Sequence, residues 1–372
     1  SNLLPNNSNE VETVRTLLLH RLGPNGAQRI SPPDSFVPIF EAAFEAGMRD
    51  SATLHHCALL LLDKGDFDGA ESYLNRAVEV LNDPNELTHF KTEWRQMIDN
   101  SIANVAARRG LNLQKMGRES DAIEEFQRAT TLFRRARTGE FPTGYPFYGE
   151  ALMSLRRADY SSGTTRLILL AGALQVIDQS EGNVGEEDQA SLAEIESRIV
   201  ELLSDIPKLD TLLTDMVSSG DPNGSYLQAR CSTNIYASGV RTASVYSLDG
   251  AYSIVMKALA RTPQHIPCLR LASRLHRRVH PNDWKGWWDL LQRRKLLESE
   301  MQSSLLFDLG LAACQLGKYV DAKLYFEQLE RVSIGHPRRT GAVAIVKDDD
   351  QDRRFVGQVQ TGLSRTEGWL RC

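Results

Sequence analysis

Five times along this chain a residue at a close helix contact is followed twelve positions later by its partner, and seven positions after that by an apolar residue. The pairs are Ala58 with Ala70, Gly110 with Ala122, Ala151 with Gly163, Ala272 with Trp284, and Gly310 with Ala322. Seven further on stand Ala77, Ala129, Leu170, Leu291 and Leu329, and three before each of these Leu74, Phe126, Leu167, Trp288 and Phe326. Within Ser51 to Pro84, Leu54, Cys57, Ala58 and Leu61 share one helix face, and Phe67, Ala70, Leu74 and Ala77 share another. Gly65 between them supplies the backbone freedom of a tight turn. Two helices therefore face each other, close at the small pair and filled at the flanks by larger side chains. A hairpin this short cannot bury both stripes alone, so it must stack on copies of itself.

The copies and their turns, Gly65-Asp66-Phe67, Gly117-Arg118-Glu119 and Gly317-Lys318-Tyr319, carry a resemblance to the tetratricopeptide repeat (TPR) over most of residues 35–336. Ser51–Pro84, Ala103–Ala136 and Ser303–His336 match best. Gly144–Ile177, with its turn read at Ala158-Asp159-Tyr160, and His265–Glu298 are degenerate, and a further degenerate unit spans Tyr226 to Pro263 with Ala251, Val255 and Ala258 on its second helix. The resemblance implies an all-α helix–turn–helix solenoid, a right-handed superhelix, to which a short C-terminal β segment is added. About function it says little, since the repeat serves as a scaffold for many partners.

The organisation expected from this reading is an N-terminal segment at 1–34 with one short helix, a first repeat block at 35–179, an inserted acidic helical spacer at 180–224, a second block at 225–336 and a β-type tail at 337–372. The spacer lacks the paired small residues but keeps one stripe, Leu192, Ile195, Ile199, Leu202 and Leu203, and ends in the breaker cluster Ser218 to Gly224. Glu86 to Met116 holds no proline and no glycine before Gly110, so its helix is unusually long, with Trp94 and Met97 placed beyond the ordinary repeat interface. In the tail, Gly357-x-Val359 followed by Gly368-Trp369-Leu370 resembles the opening strands of cold-shock or S1-like OB domains; a small hairpin added to the last repeat fits the same residues.

A net charge of −5 with 24% charged residues gives no global pull toward nucleic acid or membrane, and no apolar run approaches the roughly 20 residues a membrane span requires. Five cysteines, an odd number without metal-ligand spacing, argue against a disulfide framework; Cys57 and Cys268 fall on core faces. These features point to a cytoplasmic protein. No phosphate loop, zinc motif or nucleophile elbow occurs, and no carboxylate pair sits isolated in an apolar setting, so neither an enzyme nor a cofactor is expected.

Two candidate sites remain. By analogy with the family, a partner would lie along first-helix side chains, here His55, Asn104, Gln114, Lys115, Tyr145, Tyr148 and Arg156 beside Leu59, Leu111 and Leu152. The family's carboxylate-holding set of Lys, Asn and Arg is absent from these positions, which favours another protein or an internal peptide segment over a free C-terminus. The aromatics around Thr138 to Pro146, including Tyr145, Phe147 and Tyr148, read as packing residues before they read as a groove. The second candidate is basic: nine Lys and Arg against two Asp between Arg261 and Lys295, a balance of +7, with Arg270, Arg274, Arg277 and Arg278 on one helix stripe beside Trp284, Trp287 and Trp288. A nucleic-acid adaptor using this stripe and an OB-like tail is the alternative function. Charge runs on helices are more commonly satisfied faces, so pairing with the acidic spacer at 181–205 is the stronger reading. The favoured function is a protein-interaction scaffold or ligand-sensing module, such as serves a larger regulatory or defence ATPase.

The spacing makes a prediction of its own. Ala70→Arg or Ala122→Arg forces an unpaired charge between helices in contact and should cost several kcal/mol. Thermal melting monitored by circular dichroism checks it; a variant that melts like the parent would show the register to be wrong.

Overall fold

The computed structural model describes residues 51–83, 91–137, 144–180, 184, 186–204, 206, 209–237, 247–298 and 303–332. Among these lie fourteen helices: α1 Ser51–Lys64, α2 Phe67–Asn82, α3 Lys91–Lys115, α4 Glu119–Arg137, α5 Gly144–Asp159, α6 Gly163–Ser180, α7 Glu186–Ser204, α8 Leu209–Ser218, α9 Pro222–Ala237, α10 Leu248–Arg261, α11 Ile266–Val279, α12 Trp284–Leu297, α13 Ser303–Gln315 and α14 Tyr319–Val332. They form two compact units, one through Tyr160 and one from Ser161. The sequence placed its joint at 180–224 instead. The N-terminal segment at 1–34 and the β-type tail with its OB-like pattern lie outside the described residues.

Each unit stacks helix pairs of the repeat type; successive helices pack closely on one another except α7 and α8, of which α7 packs on α6 and α8 on α6 and α9. The turns explain why pairs form where they do. Gly65, Gly117 and Gly317 adopt φ of 82°, 73° and 71°, the left-handed region that a side chain disfavours. Around each, the glycine N–H donates to a carbonyl three residues back and the next N–H to one five back: Gly65 to Leu62 and Asp66 to Leu61, Gly117 to Gln114 and Arg118 to Leu113, Gly317 to Cys314 and Lys318 to Ala313. This Schellman closure satisfies the last carbonyls of the first helix and aims the chain back along it. Gly220, at φ 84°, repeats the pattern, with Gly220 donating to Val217 and Asp221 to Met216. The breaker cluster read as an internal boundary is thus the turn of a hairpin between α8 and α9. The stripe Leu192, Ile195, Ile199, Leu202 and Leu203 on α7 is buried.

Packing at the close contact is set by complementary volumes. Gly110 lies so near Phe126 that a Cβ there would stand 2.7 Å from the ring, and at Gly310 it would stand 2.6 Å from Phe326. Where the first helix carries Ala58 instead, the partner is the smaller Leu74 in the same core cluster. A larger ring opposite a missing methyl keeps the layer filled without strain. Ala70, Ala122 and Ala322 on the second helices are fully buried, as the register requires.

Two pairs of the register do not hold. Gly163 is exposed at φ 53° and opens α6, because α5 runs on to Asp159, into the turn expected at 158–160, and the turn moves to 160–162, while Leu167 and Leu170 keep their buried places. Trp284 is only half-buried. Between α11 and α12 the turn lengthens to His280–Asp283, and Trp287 takes the inward position, its indole Nε1 donating to the Ser273 carbonyl at 2.9 Å. Trp94 also departs from expectation: it packs within the first repeat interface, its ring centroid 5.9 Å from that of His55.

The volume rule is testable. Gly310→Ala gains about 1 kcal/mol of helix propensity but drives a methyl into a buried ring, so a net loss of about 1–2 kcal/mol is expected in urea unfolding. Adding Phe326→Leu should recover part of it, with a coupling of about 1 kcal/mol in the double-mutant cycle. Additive losses would refute the complementarity.

Candidate partner-binding groove

In the first unit the first helices of successive pairs, α1, α3 and α5, touch one another in a row. Two polar ties fix their levels. Arg108 Nη1 of α3 donates to Asp63 Oδ1 of α1 at 3.1 Å, and Tyr145 of α5 donates its hydroxyl to Asn104 Oδ1 of α3 at 3.2 Å. Helices running parallel with equal rise keep that register along their length. Leu111 then falls level with Leu152, and Lys115 with Arg156. The row passes from amide and phenol, through two half-buried leucines, to two cations.

The predicted residues do not all belong to it. His55 is 4% exposed: its Nε2 meets Ser101 Oγ at 2.8 Å across the α1–α3 interface, and its Nδ1 is buried without a partner. Burial, with a smaller contribution from neighbouring His56, pushes its pKa down to about 3. It is a neutral core histidine and no groove contact. Asn104, Gln114, Tyr148 and Arg156 are half-buried, Lys115 is exposed, and Tyr145 is 42% exposed. The aromatic cluster divides: Phe147 is core beneath the Arg137 guanidinium, while Tyr145 and Tyr148 lie with ring centroids 6.3 Å apart on the row. Arg156 reaches Asp159 only at 4.0 Å. Arg157 beside it is held below the usual arginine range by burial and by the like charge of Arg134.

The basic stripe of the second unit is largely committed to internal contacts. Arg274 donates to Asp178 Oδ1 at 3.0 Å, and the same carboxylate faces Arg230 at 3.1 Å and accepts the Tyr226 hydroxyl at 2.5 Å. Burial alone would raise the Asp178 carboxyl; the charges of Arg230 and Arg274 hold it below its usual range. Burial and the Asp178 charge together push Tyr226 well above the ordinary phenol. Arg270 and Arg294 both meet Glu298 Oε1 at 3.0 Å, again overcoming burial to keep the acid ionised. Arg277 lies over Trp284 and Trp287, 4.0 and 4.7 Å from the ring centroids. Arg278 is exposed. The expected pairing of the stripe with the spacer at 181–205 is not what these contacts show: Asp178 lies in α6 just before the spacer and Glu298 follows α12, while Glu196 within the spacer pairs at 2.7 Å with Arg230, outside the stripe. Sequence reasoning missed Asp178 because a lone aspartate late in an apolar helix carries no pattern.

The first unit uses its arginines in the same way. Glu150 is clamped by Arg134 and Arg137, and Asp99 by Arg95 and Arg135. Glu71 lies between Arg109 and Arg128, which outweigh burial and lower its pKa. Among the described residues no three His, Cys, Asp or Glu side chains converge as a metal ion would need, and no helix is long and apolar enough to cross a membrane.

No protein-family model matches the chain, and no curated protein does. Solved structures similar to it include the C-terminal part of a TPR repeat-containing protein from Cytophaga hutchinsonii, at 11% identity over 82% of this chain and 93% of that one, with a TM-score of 0.25. The human IFIT1 dimer with m7Gppp-AAAA aligns at 12% identity over 91% and 93%, TM-score 0.33. The TPR2AB domain of yeast Sti1 in its pHSP90 complex aligns at 10% identity over 83% and 98%, TM-score 0.26. At these scores the likenesses carry no functional assignment.

The geometry of His55 predicts a pH dependence. Its folded pKa lies below the unfolded 6.5, so the unfolded state binds the extra proton and stability falls as pH drops below about 6.5, levelling near 3. Between pH 7 and 5 the parent should lose about 2 kcal/mol relative to His55→Gln, which keeps a hydrogen bond to Ser101 without titrating. Urea unfolding at the two pH values measures it; a constant difference between parent and variant would contradict the burial argument.

Proposed function

We propose that the chain is a non-catalytic protein-interaction module and that its partner lies along the α3–α5 row of the first unit. The observation that carries this reading is the contrast between the two candidate surfaces. Tyr145, Tyr148 and Lys115 keep accessible surface beside half-buried Leu111 and Leu152, a mixture of aromatic, apolar and cationic groups suited to a peptide. Arg270, Arg274 and Arg277 of the stripe meet Glu298, Asp178 and two indoles. Nucleic-acid affinity grows with the number of phosphates neutralised, and cations already neutralised by carboxylates release few counterions. The adaptor reading is therefore the weaker one.

The test uses the full chain with a photo-crosslinking phenylalanine analogue in place of Tyr145, or of Thr131 on the exposed side of α4 as a control. The Tyr145 position should capture a protein from the source cell that Thr131 does not, and nuclease treatment should leave the capture unchanged. Equal capture at both positions, or loss on nuclease treatment, would overturn the proposal.

A further inference from the structure

Val320 and Leu324, one turn apart on α14, are 77% and 51% exposed. Counted from the close-contact alanines Ala70, Ala122 and Ala322, the same two positions hold Asp68 and Ser72 in α2 and Ser120 and Glu124 in α4, all exposed. Polar residues serve there in two well-formed hairpins, so the fold itself does not ask for aliphatic side chains at this place. On α14 they lie opposite Ala322, Phe326 and Leu329, which face the core, and packing within the repeat leaves them in water. The charges around them have an order. Lys318, exposed and with its ammonium 4.4 Å from the Trp288 ring, precedes Val320, and half-buried Glu327 follows Leu324, while Asp321 and Lys323 between them offset each other in formal charge. Residues 333–372 follow this helix, and in them the order is reversed: Arg338 and Arg339, then the aliphatic run at 342–346, then Lys347 against Asp348, Asp349 and Asp350. A chain returning antiparallel along α14 brings cation to Glu327, aliphatic to Leu324 and Val320, and carboxylate to Lys318.

We propose that the segment at 342–346 docks on the outer face of α14, Val343 over Leu324 and Ile345 over Val320. The spacings agree, since two residues of extended chain advance about 6.7 Å and the four residues from Val320 to Leu324 rise about 6 Å. The reach is sufficient: Val332 lies about 12 Å along the helix from Leu324, and the eleven residues from there to Val343 extend to about 36 Å. Gly335, Pro337 and Gly341 are available for the reversal. The tether also decides between occupants. Two aliphatic side chains are too little surface to offset the lost freedom of a separate molecule, whether a second copy or another protein. A segment joined a few residues away has already given up most of that freedom.

The experiment places a photo-crosslinking phenylalanine analogue at Val320 of the full chain, or at Ser120 as the control, and irradiates the chain both purified and in extract of the source cell. The Val320 position should give a product of monomer mass in which peptide mass spectrometry joins it to residues 341–350, and the Ser120 position should not. Ile345→Asp should remove that product. A second readout is cleavage within 342–346 by thermolysin, which cuts before aliphatic residues. Val320→Asp with Leu324→Asp should speed this cleavage roughly tenfold or more by undocking the segment. Both positions are exposed, so circular dichroism should show the helices unchanged. Asn in place of Asp348, Asp349 and Asp350 should speed it about threefold. A crosslinked dimer, a foreign protein captured in place of the segment, or equal cleavage of the parent and the Val320→Asp, Leu324→Asp variant would each overturn the proposal.

Discussion

Everything in this protein depends on how closely the two helices of a pair approach. At Gly110 and Gly310 there is no room for even one methyl group, because Phe126 and Phe326 occupy it. That contact fixes the rotation of each helix about its axis, and with it which side chains turn toward the next pair and which stay accessible. The Schellman turns at Gly65, Gly117, Gly220 and Gly317 supply the direction, and the small-against-large contact supplies the distance. A hairpin built this way presents one face of each first helix to its neighbour two helices on, which is how α1, α3 and α5 come to form a continuous row.

Between the apolar layers the chain uses carboxylates held by two arginines. Glu71, Asp99, Glu150 and Asp178, on four different helices, and Glu298, at the C-terminal end of α12, are all placed this way. Removing ions from water costs more than one ordinary surface pair returns, and a two-arginine clamp offsets that cost only where geometry is good. Its structural effect is selectivity: a misregistered pair would leave a buried charge alone. The same economy explains why a local balance of +7 does not make a cationic surface of equal strength, since Arg270 and Arg274 lie against Glu298 and Asp178 and Arg277 is flattened on two indoles.

His55 illustrates the opposite case, a polar group kept neutral in the interface. One ring nitrogen meets Ser101 and the other has no partner, with Trp94 edge-on at 5.9 Å. Protonation would put an uncompensated charge between α1 and α3, so the interface is specified for neutral pH.

The sequence by itself determined the repeat. Small and large residues at spacings of twelve and seven, with glycine at the turn, are local signals, because helix periodicity and left-handed backbone depend on neighbours a few positions away. The same locality made Gly163 and Trp284 misleading: a turn longer or later by a few residues shifts the register, and nothing nearby in the chain marks the shift. The long-range partners were decided only by tertiary structure. Arg274 meets Asp178 from 96 positions away and Tyr145 meets Asn104 from 41, and neither pairing has a period to read. Of the candidate positions, Asn104, Gln114, Lys115, Tyr145, Tyr148 and Arg156 keep accessible surface as repeat phase expects, whereas His55, in the same phase, is buried because the extra length of α3 brings Trp94 and Ser101 over it. Phase tells which way a side chain points; what stands in front of it depends on the neighbouring helix.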